Sequence, residues 1–79
     1  VKRIFLTGAS FGIGRAIAER LTADGHEVWG TSRDVSRLPA LINFHALALD
    51  LSDSQSIAAA FASAGEIDVL INNAGSGHF

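Results

Sequence analysis

Three glycines near the start of the chain, Gly8, Gly12 and Gly14, fall in the run Gly-Ala-Ser-Phe-Gly-Ile-Gly, directly after the apolar Ile4-Phe5-Leu6 and Thr7. This is a run suited to holding an anion. Glycine reaches positive φ at little steric cost and lets a ligand approach the backbone, because no Cβ intervenes. A helix starting near Gly12 would point its free N–H groups and the positive end of its dipole at the same place. The chemistry that this spacing suits is the binding of a dinucleotide pyrophosphate. Further polar residues stand directly after apolar runs: Thr31-Ser32-Arg33, Asp50-Leu51 and Asn72-Asn73-Ala74-Gly75.

The elements that would position these groups alternate in type. Lys2 to Thr7 carries Ile4, Phe5 and Leu6 in succession, an unbroken apolar run of the kind found in a parallel strand covered on both faces. Gly12 to about Ala23 has Ile13, Ile17 and Leu21 at four-residue spacing beside Ala16, which predicts a helix with one apolar stripe, ended at Gly25. Glu27 to Ser32 is a second strand, and Asp34 to Ala40 a short helix or irregular turn broken by Pro39. Phe44 to Leu49 is a third strand. Ser52 or Asp53 can cap a helix running to Ser63 or Ala64, with Ile57, Phe61 and Ala64 inward. Glu66 to Ile71 is a fourth strand. Strand–helix alternation implies right-handed crossovers and a parallel sheet, in the order 3-2-1-4. In such an open sheet, ligands bind at the carboxyl ends of the strands, where each polar group named above would lie.

Composition narrows the class of partner. Seventy-nine residues, 48% of them hydrophobic, suit one small folded domain. A formal net charge of −2 gives no electrostatic reason to expect nucleic acid or an anionic membrane surface. No apolar run approaches the length of a membrane span. Cysteine is absent, which rules out a thiolate metal site among these residues and favours a cytoplasmic setting. His26, His45 and His78 are too widely spaced for a metal-ligand pattern, so no metal site is expected; they are read as surface or strand-end residues, and Trp29 and Phe44 as packing aromatics.

The spacing Thr7-Gly8-x-x-x-Gly12-x-Gly14, together with Asp50-Leu51 and Asn72-Asn73-Ala74-Gly75, resembles the short-chain dehydrogenase/reductase family, and the likeness extends over essentially the whole chain. The resemblance implies an α/β, Rossmann-type parallel sheet of about four strands with flanking helices. That is an incomplete doubly wound fold, with residues 1–79 forming the N-terminal dinucleotide-binding part of a single domain. It also implies roles. Gly8, Gly12 and Gly14 would form the pyrophosphate turn, with Phe11 and Ile13 contributing backbone nearby and Ser10 offering its hydroxyl to the adenosine ribose or its phosphate. Asp50 would accept from the adenine amino group while the Leu51 N–H meets a ring nitrogen. Asn73, Ala74 and Gly75 would line the adenine ribose, whereas Asn72 is read as tying strands together.

The end of the second strand decides between cofactors. NAD enzymes place a carboxylate there that accepts from the ribose hydroxyls and repels a 2′-phosphate. Here the position holds Ser32, followed by Arg33, whose planar fork of donors suits phosphate. NADP(H) is therefore expected over NAD(H). Two features weigh against this: Asp34 lies 20 residues after Gly14, near the spacing of a ribose-binding acid, and Phe11 stands where many NADP-preferring relatives have a second basic residue.

In the family that this chain resembles, a Ser and a Tyr-x-x-x-Lys pair perform proton transfer. This sequence has no tyrosine, and its lysine is Lys2, so no catalytic residue is expected within it. Two readings follow. In the first, the chain is the cofactor-binding portion of an oxidoreductase acting on a small-molecule carbonyl or secondary alcohol, and is inactive alone. In the second, it is a stand-alone or regulatory nucleotide-binding module. A fourth strand left as a raw edge favours the first reading, predicts self-association as a homo-oligomer, and predicts weaker nucleotide binding than in a longer parent.

Overall fold

Side chains alternate along a strand, and in this protein both sets are apolar, so the sheet must be covered on both faces. A computed structural model, which describes residues 1–10 and 12–73, shows that arrangement. The elements are β1 (Arg3–Thr7), α1 (Gly12–Ala23), β2 (Glu27–Ser32), a 3-10 turn (Val35–Arg37), β3 (Phe44–Ala48), α2 (Ser54–Ala64) and β4 (Val69–Asn72). All strand pairs are parallel, in the order β3-β2-β1-β4. The fold class and strand order expected from the sequence are those observed.

On one face, Ile4, Leu6, Ala9 and Val28 pack against Ala18 of α1, with Ile17, Leu21, Phe44 and Ile71 partly buried around them. The other face joins Phe5, Trp29 and Leu49 to Ala60 and Ala64 of α2, flanked by Leu47, Ile57 and Ile67. Register explains the second cluster: His45, Trp29, Phe5 and Leu70 are successive cross-strand partners. The His45 ring stacks on Trp29 at 4.6 Å between centroids, and Phe5 stacks on Phe61 of α2 at 4.3 Å. Opposite, the buried Gly30 leaves room for the Phe44 ring, which a Cβ at that position would strike.

Besides shifts of a few residues at the element ends, the inner faces of both helices and the start of β4 differ from the sequence reading. The buried residues of α1 are Gly14 and Ala18, while Ile13 stays 74% exposed and Ala16 is exposed too. The helix approaches the sheet so closely that only small residues fit beneath its axis, and the branched Ile17 and Leu21 pack along the side. In α2 the buried pair is likewise small, Ala60 and Ala64, with Phe61 reaching Phe5 from the flank. Asp53 caps this helix, accepting from the Gln55 N–H at 3.0 Å. The fourth strand starts at Val69 rather than Glu66 because the preceding residues serve Arg3. Its guanidinium donates to the carbonyls of Glu66 at 2.6 Å and Ala64 at 2.8 Å, and its N–H donates to the Asp68 carboxylate at 2.9 Å.

Candidate functional site

The carboxyl ends of β1, β2 and β3 surround a cleft of about 340 Å³. It is lined by Gly8 after β1, by Thr31, Ser32 and Arg33 at the end of β2, and by Leu49 to Ser52 after β3. Five residues singled out from the sequence, Gly8, Ser32, Arg33, Asp50 and Leu51, thus meet in one place although they come from three loops. Parallel strands in this order bring their ends together, which is why ligands collect there in open α/β sheets.

The glycine turn is held from both sides, by backbone on one and by the Asn73 side chain on the other. Gly8 and Gly12 have φ of 70° and 63°, the left-handed region that disfavours other residues. Gly14 is required for a different reason. A Cβ there would collide with the Gly8 carbonyl oxygen and come within 2.6 Å of the Asn73 side-chain nitrogen. A Cβ at Gly12, by contrast, would meet nothing within 4 Å. The turn is therefore packed tightly toward the sheet and open above Gly12, at the N-terminus of α1. The first turn of any helix has N–H groups without intrahelical partners, which suits such a start to an anion. Ser10 is half-buried in the turn, and Ile13 lies in the first turn of the helix with its side chain outward. Phe11, Ala74 and Gly75 lie outside the described residues.

Ala9 and Thr31, to which the sequence assigned no separate role, fix the turn in place. The N–H of Ala9, a fully buried residue, donates to the Thr31 carbonyl at 3.0 Å. The buried Thr31 hydroxyl in turn reaches the Leu6 carbonyl at 3.4 Å. The spacing between the glycine turn and the end of β2 is set by these bonds. From the other side, the Asn73 amide donates to the Gly8 carbonyl at 3.1 Å, and Asn72 accepts from the Thr7 hydroxyl at 2.9 Å. Asn72 therefore ties β4 to β1.

Asp50 is shaped by the serines that follow it. One carboxylate oxygen accepts from the Ser52 hydroxyl at 2.6 Å and from the Ser52 N–H at 2.9 Å. The Asp50 N–H donates to the Ser56 hydroxyl of α2 at 2.9 Å. These bonds to Ser52, the hydroxyl first, hold the Asp50 carboxyl below its ordinary value, and the charge of Arg33 adds a smaller pull. Asp50 is thus ionised at neutral pH and keeps its second oxygen for another donor. Arg33 is exposed at the cleft rim. The Ser32 hydroxyl oxygen accepts from the Asp34 N–H at 3.3 Å, which leaves the hydroxyl proton to be donated elsewhere.

Asp34 has another engagement. Its carboxylate caps the 3-10 turn, accepting from the Ser36 hydroxyl at 2.6 Å and the Ser36 N–H at 3.0 Å, and these bonds lower its pKa. It is not among the residues that line the cleft. Among the described residues, no group of three His, Asp or Glu side chains could hold a metal ion, and no helix is long and apolar enough to cross a membrane.

Comparison with known proteins adds to this geometry. A sequence model described as short chain dehydrogenase matches residues 2–79. Serine 3-dehydrogenase of Rhizobium radiobacter is 40% identical over 91% of this chain and 32% of its own length. Two solved structures superpose closely. A metagenomic short-chain oxidoreductase in complex with NADP is 42% identical, with a TM-score of 0.83 over 99% of this chain and 40% of that one. A short-chain dehydrogenase from Sphingobium yanoikuyae in complex with NADPH is 37% identical, with a TM-score of 0.82 over 100% of this chain and 37% of that one. The chain spans about a third of the length of the curated relatives it first matches.

Proposed function

The chain belongs to the short-chain dehydrogenase family of oxidoreductases, and on that premise we propose that it forms the NADP(H)-binding portion of an enzyme acting on a carbonyl or secondary alcohol. When bound, the nicotinamide supplies the hydride carrier. The residues of this chain bind and orient. Gly8, Gly12 and Gly14, with the backbone of Phe11 and Ile13, cradle the pyrophosphate at the start of α1, and Ser10 offers its hydroxyl to the adenosine ribose or its phosphate. Asp50 accepts from the adenine amino group through its unengaged oxygen, beside the Leu51 N–H. Asn73, Ala74 and Gly75 flank the adenine ribose. Ser32 and Arg33 take the 2′-phosphate, one with a free hydroxyl proton and the other with a planar donor fork. Proton transfer is assigned to parts of the whole protein outside these 79 residues, which contain no tyrosine.

The observation that carries the cofactor preference is the make-up of the cleft at the end of β2. Ser32 and Arg33 line it, and the nearby carboxylate, Asp34, is bonded to its own turn. The relatives solved with NADP and NADPH support the same reading. Substituting Arg33→Ala in the intact protein tests it by isothermal titration. NADPH affinity should fall about tenfold or more, as expected for a lost charge-assisted contact to phosphate, while NADH affinity changes little. Equal losses for the two cofactors would contradict the assignment.

A further inference from the structure

Asp34 is the acidic residue whose position in the sequence, 20 residues after Gly14, suits it to ribose recognition. Its N–H bonds the Ser32 hydroxyl, so it stands directly beside the cleft wall. A free carboxylate at that place would accept from ribose hydroxyls and repel a 2′-phosphate. The structure instead shows both carboxylate oxygens facing the 3-10 turn. One accepts two hydrogen bonds from Ser36, the shorter at 2.6 Å, and the other lies 3.8 Å from Arg37 Nε. Hydrogen bonds of that length to an ionised oxygen are at the strong end of the range, whereas the exposed pair with Arg37 adds little by itself.

We infer that Ser36, assisted by Arg37, is a positioning residue for cofactor selectivity. It latches the Asp34 carboxylate into the 3-10 turn and leaves the end of β2 to a phosphate. Ser36 does this without touching the cofactor. The inference rests on the reading that Ser32 and Arg33 receive the 2′-phosphate. It also accounts for an acid standing near the ribose-binding position of a cleft suited to NADP(H).

The test is a cycle of variants of the intact protein, each titrated calorimetrically with NADPH and NADH. The unmodified protein should bind NADPH more tightly. In Asp34→Asn the ratio of the two dissociation constants should stay within about threefold, because the carboxylate is already withdrawn. In the double variant Ser36→Ala/Arg37→Ala the ratio should move about tenfold toward NADH. Adding Asp34→Asn to that double variant should cancel the shift, and Ser36→Thr, which keeps the hydroxyl, should retain the original ratio. A double variant with an unmoved ratio overturns the latch. So does a shift that persists without Asp34, since Arg37 would then be contacting the phosphate itself. If the unmodified protein prefers NADH, the cofactor reading fails; if it prefers NADPH and the cycle is flat, the latch alone fails. All these positions are exposed, and thermal melts of each variant separate a folding defect from a change in selectivity.

Discussion

At Gly14 the approach of one backbone segment to another decides which residue can stand there. The Gly8 carbonyl occupies the space of a Cβ, and the Asn73 amide closes the same space from the end of β4. Substituting Gly14→Ala should therefore shift the whole turn. We expect at least a tenfold loss of NADPH affinity by titration, with the far-ultraviolet circular dichroism of the sheet and helices retained. Unchanged affinity would show that the turn does not bear on the cofactor. The three glycines were legible in the sequence because their spacing reflects backbone geometry. The serines were not. Ser36, Ser52 and Ser56 each act on an aspartate or its N–H, and serine is too common in loops for its presence to signal a partner. The engagement of Asp34, an open question in the sequence, is visible only once the 3-10 turn closes on it.

At the scale of elements, the sequence specified where strands and helices lie better than which faces they bury. Apolar periodicity placed α1 over Gly12–Ala23 as observed, yet the Ile13, Ile17 and Leu21 stripe is not what lies deepest. Periodicity ranks residues by hydrophobicity, while close helix–sheet approach selects for small volume, so Gly14 and Ala18 are beneath the axis. The start of β4 was displaced because of Arg3, whose partners lie more than 60 residues away in sequence. Its guanidinium also lies 4.3 Å from the Trp29 ring centroid. One side chain thus joins β1 and β2 to the C-terminal end of α2, where a cation is favoured by the carbonyls exposed there. We expect Arg3→Ala to destabilise the protein by about 2 kcal/mol in denaturant unfolding, from a lost charge-assisted bond and a lost cation–π contact. A change indistinguishable from zero would mean that α2 is held by Phe5 and Phe61 without it.

For the whole molecule, the arrangement of the sheet and the chemistry at its upper end are one argument. Two apolar faces demand helices on both sides, right-handed crossovers set the order β3-β2-β1-β4, and that order gathers Gly8, Arg33 and Asp50 around one cleft. This much was readable from punctuation and strand-end residues, and the family match over residues 2–79 agrees with it. The cleft is polar where the sequence placed Ser32, Arg33 and Asp50, and its acid at position 34 is turned away. The central claim is that these strand ends receive a 2′-phosphorylated dinucleotide. Its most direct test is calorimetric titration of the intact, unmodified protein with NADPH and then NADH under the same conditions. The account predicts tighter binding of NADPH by about tenfold or more; NADH binding as tightly as NADPH, or more tightly, would contradict it.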